Sequence, residues 1–173
     1  NQSEAAGDAV WPHLLGPFFG SFIAWGLFSL TNEEDAATSA DDLHFQALKR
    51  PVNEAAGTFF ITLVTVMVAA GVSPLAGFAV GAAILGLHFS GMPISGGHFN
   101  PAVTFGKWLS NRDLISNRRT CVYIAVQVVA AVLAAVLGGY LVESHPVPVA
   151  LDVSAKGVFN TYLVQIIFGF VVV

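Results

Sequence analysis

The chain has 173 residues, of which 55% are hydrophobic and only 10% are Asp, Glu, Lys or Arg, and its net charge is −4. A soluble domain has about a quarter of its residues charged, so this composition excludes an ordinary soluble protein and indicates a chain that crosses the membrane several times. We therefore expect an integral, multi-pass protein whose main partner is the lipid bilayer, and no nucleic-acid partner. The single cysteine, Cys121, cannot form an internal disulfide.

The first apolar run, residues 11–30, has no formally charged side chain and about the length of one membrane crossing. It predicts a spanning helix with Trp11 and His13 near the membrane interface, where rings with a polar tip are enriched. A helix that lies flat on the membrane surface is the alternative.

The polar segment that follows, residues 31–50, predicts a solvated connector with a short amphipathic helix near residues 43–48. Acidic side chains are concentrated in this segment, and they fit a solvated face better than a metal site. They are Glu33, Glu34, Asp35, Asp41 and Asp42.

Two apolar runs then predict two more spanning helices, over residues 52–71 and residues 76–89. Glu54 lies near the start of the first run, and an ionisable side chain in an apolar helix is costly unless it has a partner. Its carboxylate can either extend to the membrane interface or turn inward to such a partner. The second run contains small residues that allow neighbouring helices to approach closely, namely Gly77, Gly81 and Gly86.

Residues 94–106 combine a Gly- and Ser-rich first half with the start of a helix. Asn100 is a good helix N-cap, and Pro101 suits the first helical position. The helix that follows, to about Ser110, would reach only about half of a hydrocarbon core about 30 Å thick. We therefore predict a loop that dips into the membrane and returns as a half-helix, whose positive end and Asn100 amide can meet a ligand.

The next spanning helix is predicted over residues 120–142, with Gln127 as a polar residue in mid-span. Two rows of small residues at a spacing of four predict tight helix contacts. The rows are Ala130, Ala134 and Gly138, and Ala131, Ala135 and Gly139. Residues 143–157 predict an external loop. Residues 158–173 begin a last apolar helix that is too short to cross the membrane, so we expect a truncated chain or a degenerate half of a larger fold.

The distribution of basic residues predicts the orientation of the chain in the membrane. If the apolar runs alternate in direction from residues 11–30 onward, Lys156 lies on one side and all other basic residues lie on the opposite side. Those residues are Lys49, Arg50, Lys107, Arg112, Arg118 and Arg119. By the positive-inside rule their side is the cytoplasmic side or its organellar equivalent, and the dipping loop enters the membrane from it.

The residues from Ser95 to Thr104, Ser-Gly-Gly-His-Phe-Asn-Pro-Ala-Val-Thr, resemble the first Asn-Pro-Ala loop of the aquaporin, or major intrinsic protein, family. The resemblance covers about residues 52–173 and implies the first of the family's inverted repeats and the start of the next. Residues 1–51 form an N-terminal extension with one extra span and the acidic connector. The implied fold class is an all-α membrane protein, an aquaporin-like half-fold with about four to five membrane segments and a re-entrant half-helix.

The resemblance also implies roles for individual residues. Asn100 would donate hydrogen bonds to the permeant, and Val80 would shape a constriction at which water-selective members often carry a bulky aromatic residue or His. Valine implies a wider and more apolar constriction. Glu54 would turn inward to brace the loop near His98, and Gln127 would bond to the loop backbone. The other residues expected at the loop or pore are Gly96, Gly97, Pro101, Ala102 and Val103.

An aquaporin-like pore joins two inverted repeats. This sequence has a single Asn-Pro-Ala, no arginine after Arg119, and Gln165 where the family usually has a Glu that braces the second loop. Two functions therefore stay open. The first is a channel component for water or small neutral solutes that needs a second repeat from further sequence or from another chain. The second is a non-conducting structural subunit, derived from an aquaporin, in a larger membrane complex, with an organellar energy-converting complex as a speculative host.

Neither function is enzymatic, because the sequence shows no pairing of nucleophile and base, no metal-ligand cluster and no phosphate-binding loop. No cofactor or metal is expected. The exceptions left open are a lipid contact and a pigment bound through His13, His88 or an Asn, and for His88 packing in the protein core is the alternative. The expected partners, besides lipid, are other membrane subunits or a homo-oligomer that covers the half-fold. The host membrane is not specified, and an organellar membrane stays open.

Overall fold

The computed structural model describes the backbone of residues 2–31, 40–70, 74–110 and 115–142, and the side chains of residues 15–31, 48–69, 74–110 and 115–142. These parts of the chain are helical, with no strand among them. The helices are α1 (Gln2–Thr31), α2 (Ala40–Ala70), α3 (Ala76–Ser95), α4 (Pro101–Ser110) and α5 (Asn117–Leu141). The predicted all-α fold class is confirmed. The predicted external loop, the last apolar run and Gln165 lie outside the described residues.

Three helical segments are long and apolar enough to cross a membrane: Leu48–Ala69, Ala76–Ser95 and Asn117–Leu141. At about 1.5 Å per residue each reaches roughly 30 Å or more, which is the thickness of a hydrocarbon core. Their outward faces carry large apolar side chains, and Phe78 and Phe89 on α3 are each 79% exposed. Surfaces of this kind suit lipid rather than water, so the chain is an integral, multi-pass membrane protein.

The first 49 residues form a compact unit of their own. Its helix α1 contains the predicted first span, and within the described side chains Leu15–Thr31 is a shorter apolar helix. The hydroxyl groups of Ser21 and Thr31 donate to carbonyl groups one turn earlier, at 2.7 Å and 2.9 Å. Such bonds satisfy a hydroxyl group without water or a neighbouring helix. Whether α1 crosses the membrane stays a prediction.

The predicted connector over residues 31–50 is wrong in its second half. Helix α2 begins at Ala40 and continues into the predicted second span, with Pro51 inside it, so the helix expected near residues 43–48 is only part of a longer one. Polar composition indicates exposure to solvent but does not prevent a helix, and Leu, Gln, Ala, Lys and Arg are all good helix formers. Glu33, Glu34 and Asp35 lie outside the described residues.

The end of α3 also differs from the prediction, because the helix continues past residue 89 to Ser95. It ends at Gly96, which has a left-handed φ of 95° and donates its N–H to the Met92 carbonyl at 3.0 Å. Left-handed glycine is a frequent helix stop. Helix α4 then begins at Pro101 and ends at Ser110, as predicted. Its ten residues extend about 15 Å, too short to cross a hydrocarbon core.

Helices α2 and α5 run parallel to each other, because Glu54 meets Gln127 at one level and Val66 meets Gly138 further along both helices. In the first predicted row of small residues, Ala130, Ala134 and Gly138 are buried. In the second row Ala135 and Gly139 are exposed, so that row does not pack against the described part of the chain. A methyl group on Gly138 would lie 2.7 Å from the Val66 side chain, which explains why this crossing uses glycine.

The interior of residues 50–142 is unusually polar, whereas its outer faces are apolar. The buried polar side chains in this unit are Glu54, Thr58, His98, Thr104, Thr120 and Gln127, and Tyr123 is buried among them. Every buried side-chain nitrogen and oxygen among the described residues has a hydrogen-bond partner. In lipid, where apolar surfaces do not drive helices together, such hydrogen bonds and close packing hold helices in register.

Candidate functional site

The turn between α3 and α4 is built from residues that accept a left-handed backbone. Gly96 and Gly97 have φ values of 95° and 59°, and Phe99 has a φ of 48°. Glycine adopts this region without a steric penalty, whereas other residues rarely do. The turn joins α3 to α4 within five residues, 96–100, and places Asn100 directly before α4.

The turn is anchored to the carboxylate of Glu54, which is fully buried. Oε1 accepts hydrogen bonds from the His98 amide at 3.0 Å and the Ser95 hydroxyl at 2.5 Å. Oε2 accepts hydrogen bonds from the Phe99 amide at 2.6 Å and from Gln127 Nε2 at 2.8 Å. Four donors thus replace the water that this carboxylate lacks, and such charge-assisted bonds are stronger than neutral ones. The structure therefore places Glu54 inward, against two consecutive loop amides.

Gln127 forms a second layer behind Glu54. Its Nε2 lies 2.8 Å from Glu54 Oε2 and 2.9 Å from Thr104 Oγ1, so its bonds run to side chains and not to the loop backbone that the sequence suggested. Thr104 Oγ1 is also 3.2 Å from His98 Nδ1 and 3.1 Å from the Asn100 carbonyl. Because Thr104 belongs to α4, this layer connects the half-helix to α5 and to the anchoring carboxylate.

Three further residues support the turn, and the sequence reasoning missed them. Asn53 donates from Nδ2 to the Gly91 carbonyl at 3.2 Å and to the Ser95 hydroxyl at 2.8 Å, which joins α2 to α3. The Tyr123 hydroxyl donates to the Ser95 carbonyl at 3.1 Å, and its ring packs edge-on against the His98 ring. The third is Thr104. For Tyr123 the sequence did contain a signal. Polar residues recur in α5 at spacings of three and four, at Thr120, Tyr123 and Gln127, and so share one helix face.

Asn100 lies on the exposed side of the site. Its Oδ1 accepts a hydrogen bond from the Ala102 amide at 2.8 Å and so caps α4. Among the described residues no acceptor takes a hydrogen bond from its Nδ2, which leaves both N–H groups of the amide available. Ala102 is exposed next to it, and Pro101 is half-buried. The start of α4 therefore presents an amide donor together with the partial positive charge of a helix N-terminus.

The other predicted loop residues are divided between the interior and the surface. Gly97, His98 and Val103 are buried, with His98 only 2% exposed, while Gly96 is half-buried. Val103 thus lies on the buried side of α4, about 100° around the helix from the exposed Ala102. The structure brings the loop residues and Glu54 together around one turn, but some of these side chains are buried and others are exposed.

Val80 and His88 both lie on α3, but only His88 contacts the turn. Val80 is half-buried and is separated from Ser95 by about 22 Å along the helix axis. His88 is half-buried, its Nδ1 lies 3.0 Å from the Ile84 carbonyl, and its ring packs edge-on against Phe99. No group of three or more His, Cys, Asp or Glu side chains that could hold a metal occurs in the part of the chain that is described. His13 lies on α1, where its side chain is outside the described residues.

Comparison of the sequence with known proteins matches it to one family. The family model for MIP, Major intrinsic protein, matches residues 42–173, which include the whole site. Among five curated proteins that match is Probable aquaporin TIP4-1 of Oryza sativa subsp. japonica, which is 35% identical over 124 residues, covering 65% of this chain and 49% of the rice protein. The chain thus spans about half the length of this curated relative. No solved structure matches the chain.

Proposed function

The chain belongs to the major intrinsic protein family, and from this premise we propose that it is a component of a membrane channel for water or small neutral solutes. The observation that carries the proposal is Asn100, whose amide donors are exposed at the start of a helix too short to cross the membrane. A donor at this place can bind a permeant oxygen only if the turn that holds it is rigid. Glu54 supplies that rigidity through its bonds to the loop.

The charge at this site favours neutral permeants. Because Oδ1 of Asn100 is occupied by the cap to Ala102, the amide is held in one orientation with both N–H groups directed away from α4. These donors and the positive end of the helix attract the oxygen of water or of a hydroxyl group, and they repel a cation.

The bonds to Glu54 also direct the carbonyl groups of the turn. In a trans peptide the C=O points opposite to the following N–H, and the described chain has no cis peptide bond. Because the amides of His98 and Phe99 point to Glu54, the carbonyls of Gly97 and His98 point away from it. We propose that these carbonyls, together with that of Gly96, form the acceptor side of the permeant path, with Val80 at a separate constriction.

We propose that this path is completed by a second, inverted repeat. The exposed face of α4 carries Ala102, Phe105 and Leu109, and irregular backbone within a membrane is tolerated only where protein or a water-filled cavity covers it. The cover is supplied by further sequence, by other membrane subunits or by another copy. The described half is therefore a channel component that does not form a closed path by itself. An organellar membrane stays one of the candidate locations.

A second candidate function, a structural subunit of a larger membrane complex, is favoured by α1. This helix lies outside the residues that match the family, and it exposes Phe18, Phe22 and Trp25. We propose that residues 1–51 form an extension and residues 52–173 the channel-like half. An added apolar helix is a means of attachment to other membrane subunits, whether or not the channel-like half conducts.

The test is the permeability of liposomes that contain the protein, purified in mild detergent together with the subunits that accompany it. Stopped-flow light scattering would give the water and glycerol permeability of the wild type and of the Asn100→Asp variant. Asp keeps the oxygen that caps α4 and suits a helix N-terminus, but it removes both amide donors. We expect the wild type to exceed empty liposomes and the variant to equal them.

The matched control is Phe89→Leu, at a side chain that is 79% exposed on α3 and faces away from the site. It should conduct like the wild type. If the wild type, the Asn100→Asp variant and empty liposomes all have the same permeability, the channel proposal fails and the structural function remains.

A further inference from the structure

Phe99 has an unusual conformation for an aromatic residue. Within the described ranges it is the single non-glycine residue with a left-handed φ, at 48°. A bulky side chain is strongly disfavoured in this region and persists there only when its surroundings determine the conformation. Phe99 is also 4% exposed, so its ring is enclosed by the protein. The turn thus contains a strained residue directly before Asn100.

The ring of Phe99 occupies a slot between two helices, and each helix contributes a glycine to it. A methyl group on Gly57 of α2 would overlap the ring, and so would one on Gly91 of α3. The latter would also lie 2.8 Å from Asn53 Nδ2. The edge of the His88 ring closes the slot, with ring centroids 5.3 Å apart. The slot exists only because both helices lack a side chain at these two positions.

We propose that Phe99 is a positioning residue that sets the direction of the Asn100 amide. Residue 99 is held at two points, through its N–H to Glu54 Oε2 and through its ring in the slot between Gly57 and Gly91. With both points fixed, the backbone leaves residue 99 in one direction, and Asn100 follows it. The inference rests on the proposed function only in taking Asn100 as the group that meets the permeant.

The two anchors make different contributions. The N–H bond to Glu54 fixes the distance of the turn from α2, but it allows the backbone to rotate about that bond. The ring prevents the rotation, because a negative φ at residue 99 would swing the ring out of the slot. A smaller side chain at residue 99 should therefore release the left-handed conformation and let the Asn100 amide sample several directions.

Paired substitutions in the Phe99 ring and in its slot test whether the two together set the direction of the Asn100 amide. Gly91→Ala should displace the ring, and Phe99→Leu should loosen it, so each single variant should alter the direction of the Asn100 amide. A methyl group on Gly91 would overlap Cζ of the ring, an atom that leucine lacks. In the double variant Gly91→Ala with Phe99→Leu, the added methyl group therefore fills space that the smaller side chain leaves, so the amide should return towards its wild-type state. The contact with Asn53 Nδ2 is the same in the Gly91→Ala single variant, so comparing these two variants isolates the effect of the ring. Gly77→Ala on α3 is the control, because nothing lies within 4 Å of a methyl group there.

The readout is the side-chain amide signal of Asn100 in 15N-asparagine-labelled full chain in nanodiscs, identified by its loss in Asn100→Asp. We expect it to shift or broaden in both single variants, to recover in the double variant and to stay unchanged in Gly77→Ala. A role in stability alone would lower the thermal midpoint of Phe99→Leu and leave this signal in place, which would overturn the proposal. Failure of the double variant to recover the signal would also overturn it.

The choice of variants separates this proposal from the proposed function. If Gly91→Ala does not fold, Phe99→Leu still decides the outcome, because it adds no atoms to the slot. If the amide signal behaves as expected while liposomes show no permeation, the positioning role stands and the channel function fails. If the liposomes are permeable while the Asn100 amide signal stays unchanged in Phe99→Leu, the channel function stands and the positioning role fails.

Discussion

Helix α1 and the bundle around Glu54 differ in the bonds that their polar side chains make. In the described part of α1 the Ser21 hydroxyl bonds within its own helix, and large apolar side chains cover the surface. In residues 50–142 the Thr58 hydroxyl also bonds within its own helix, but Glu54 and Gln127 in addition bond between helices. In lipid a polar bond between helices specifies which helix faces which, whereas an apolar surface specifies no partner. The bonds between helices therefore specify how α2, α4 and α5 are arranged within the bundle.

The largest effect on the bundle is expected when the carboxylate of Glu54 is removed. Glu54→Leu leaves the amides of His98 and Phe99 buried without acceptors, so we expect the free energy of unfolding to fall by about 4 kcal/mol or more. Thermal or SDS-induced unfolding in detergent would measure it. Glu54→Gln should cost less, because one oxygen still accepts. A loss below about 1 kcal/mol for Glu54→Leu would contradict the anchoring role.

Two adjacent glycines on α5 allow a packed helix face to be compared with an exposed one. Gly138→Ala would place its methyl group 2.7 Å from the Val66 side chain, whereas Gly139→Ala would meet nothing within 4 Å. We expect Gly138→Ala to lower the free energy of unfolding by about 2 kcal/mol and Gly139→Ala to leave it within about 0.5 kcal/mol of the wild type. The same unfolding assay measures both, and equal effects would show that α2 and α5 do not cross as described.

A smaller effect is expected from Tyr123→Phe, which removes the hydrogen bond to the Ser95 carbonyl and keeps the ring against His98. The expected loss is about 1 kcal/mol, which is typical of one neutral hydrogen bond. Tyr140→Phe is the matched control, because Tyr140 is 70% exposed at the far end of α5. Identical unfolding curves for Tyr123→Phe and Tyr140→Phe would mean that this bond does not support the turn.

The smallest effect should come from α1. Phe22→Leu replaces one exposed apolar side chain with another, so the free energy of unfolding should change by no more than about 0.5 kcal/mol. Co-purification provides a separate measurement, because changing Phe18, Phe22 and Trp25 together to Ala should remove a partner that binds α1 while the fold persists. A large loss of stability in the isolated chain would show that α1 packs in a way that its exposed side chains do not suggest.

The features of the fold that follow from local chemistry were predictable from the sequence. The start of α4 follows from Asn100 as a cap and Pro101 at the first helical position, and its ten residues follow from the polar segment after it. The start of α2 was not predictable in this way, because charge and polarity near residues 43–48 indicate exposure and say little about helicity.

The partners within the site could be predicted less well, because they depend on contacts between distant parts of the chain. Glu54 in an apolar helix indicates a need for partners, but it does not identify them. The sequence suggested loop backbone as the partner of Gln127, whereas its amide bonds to Glu54 and Thr104. The slot for Phe99 could not be foreseen, since it requires Gly57 and Gly91 to meet across two helices.

The central claim is that the turn holding Asn100 lies at the middle of the bilayer, with the other end of α4 near the surface. Paramagnetic relaxation in nanodiscs tests it directly, with spin labels either at the ends of the lipid tails or at the headgroups. We predict that the tail label broadens the amide signals of Asn100 and Ala102, while the headgroup label broadens that of Ser110. Broadening of all three by the headgroup label alone would place α4 on the membrane surface and contradict the account.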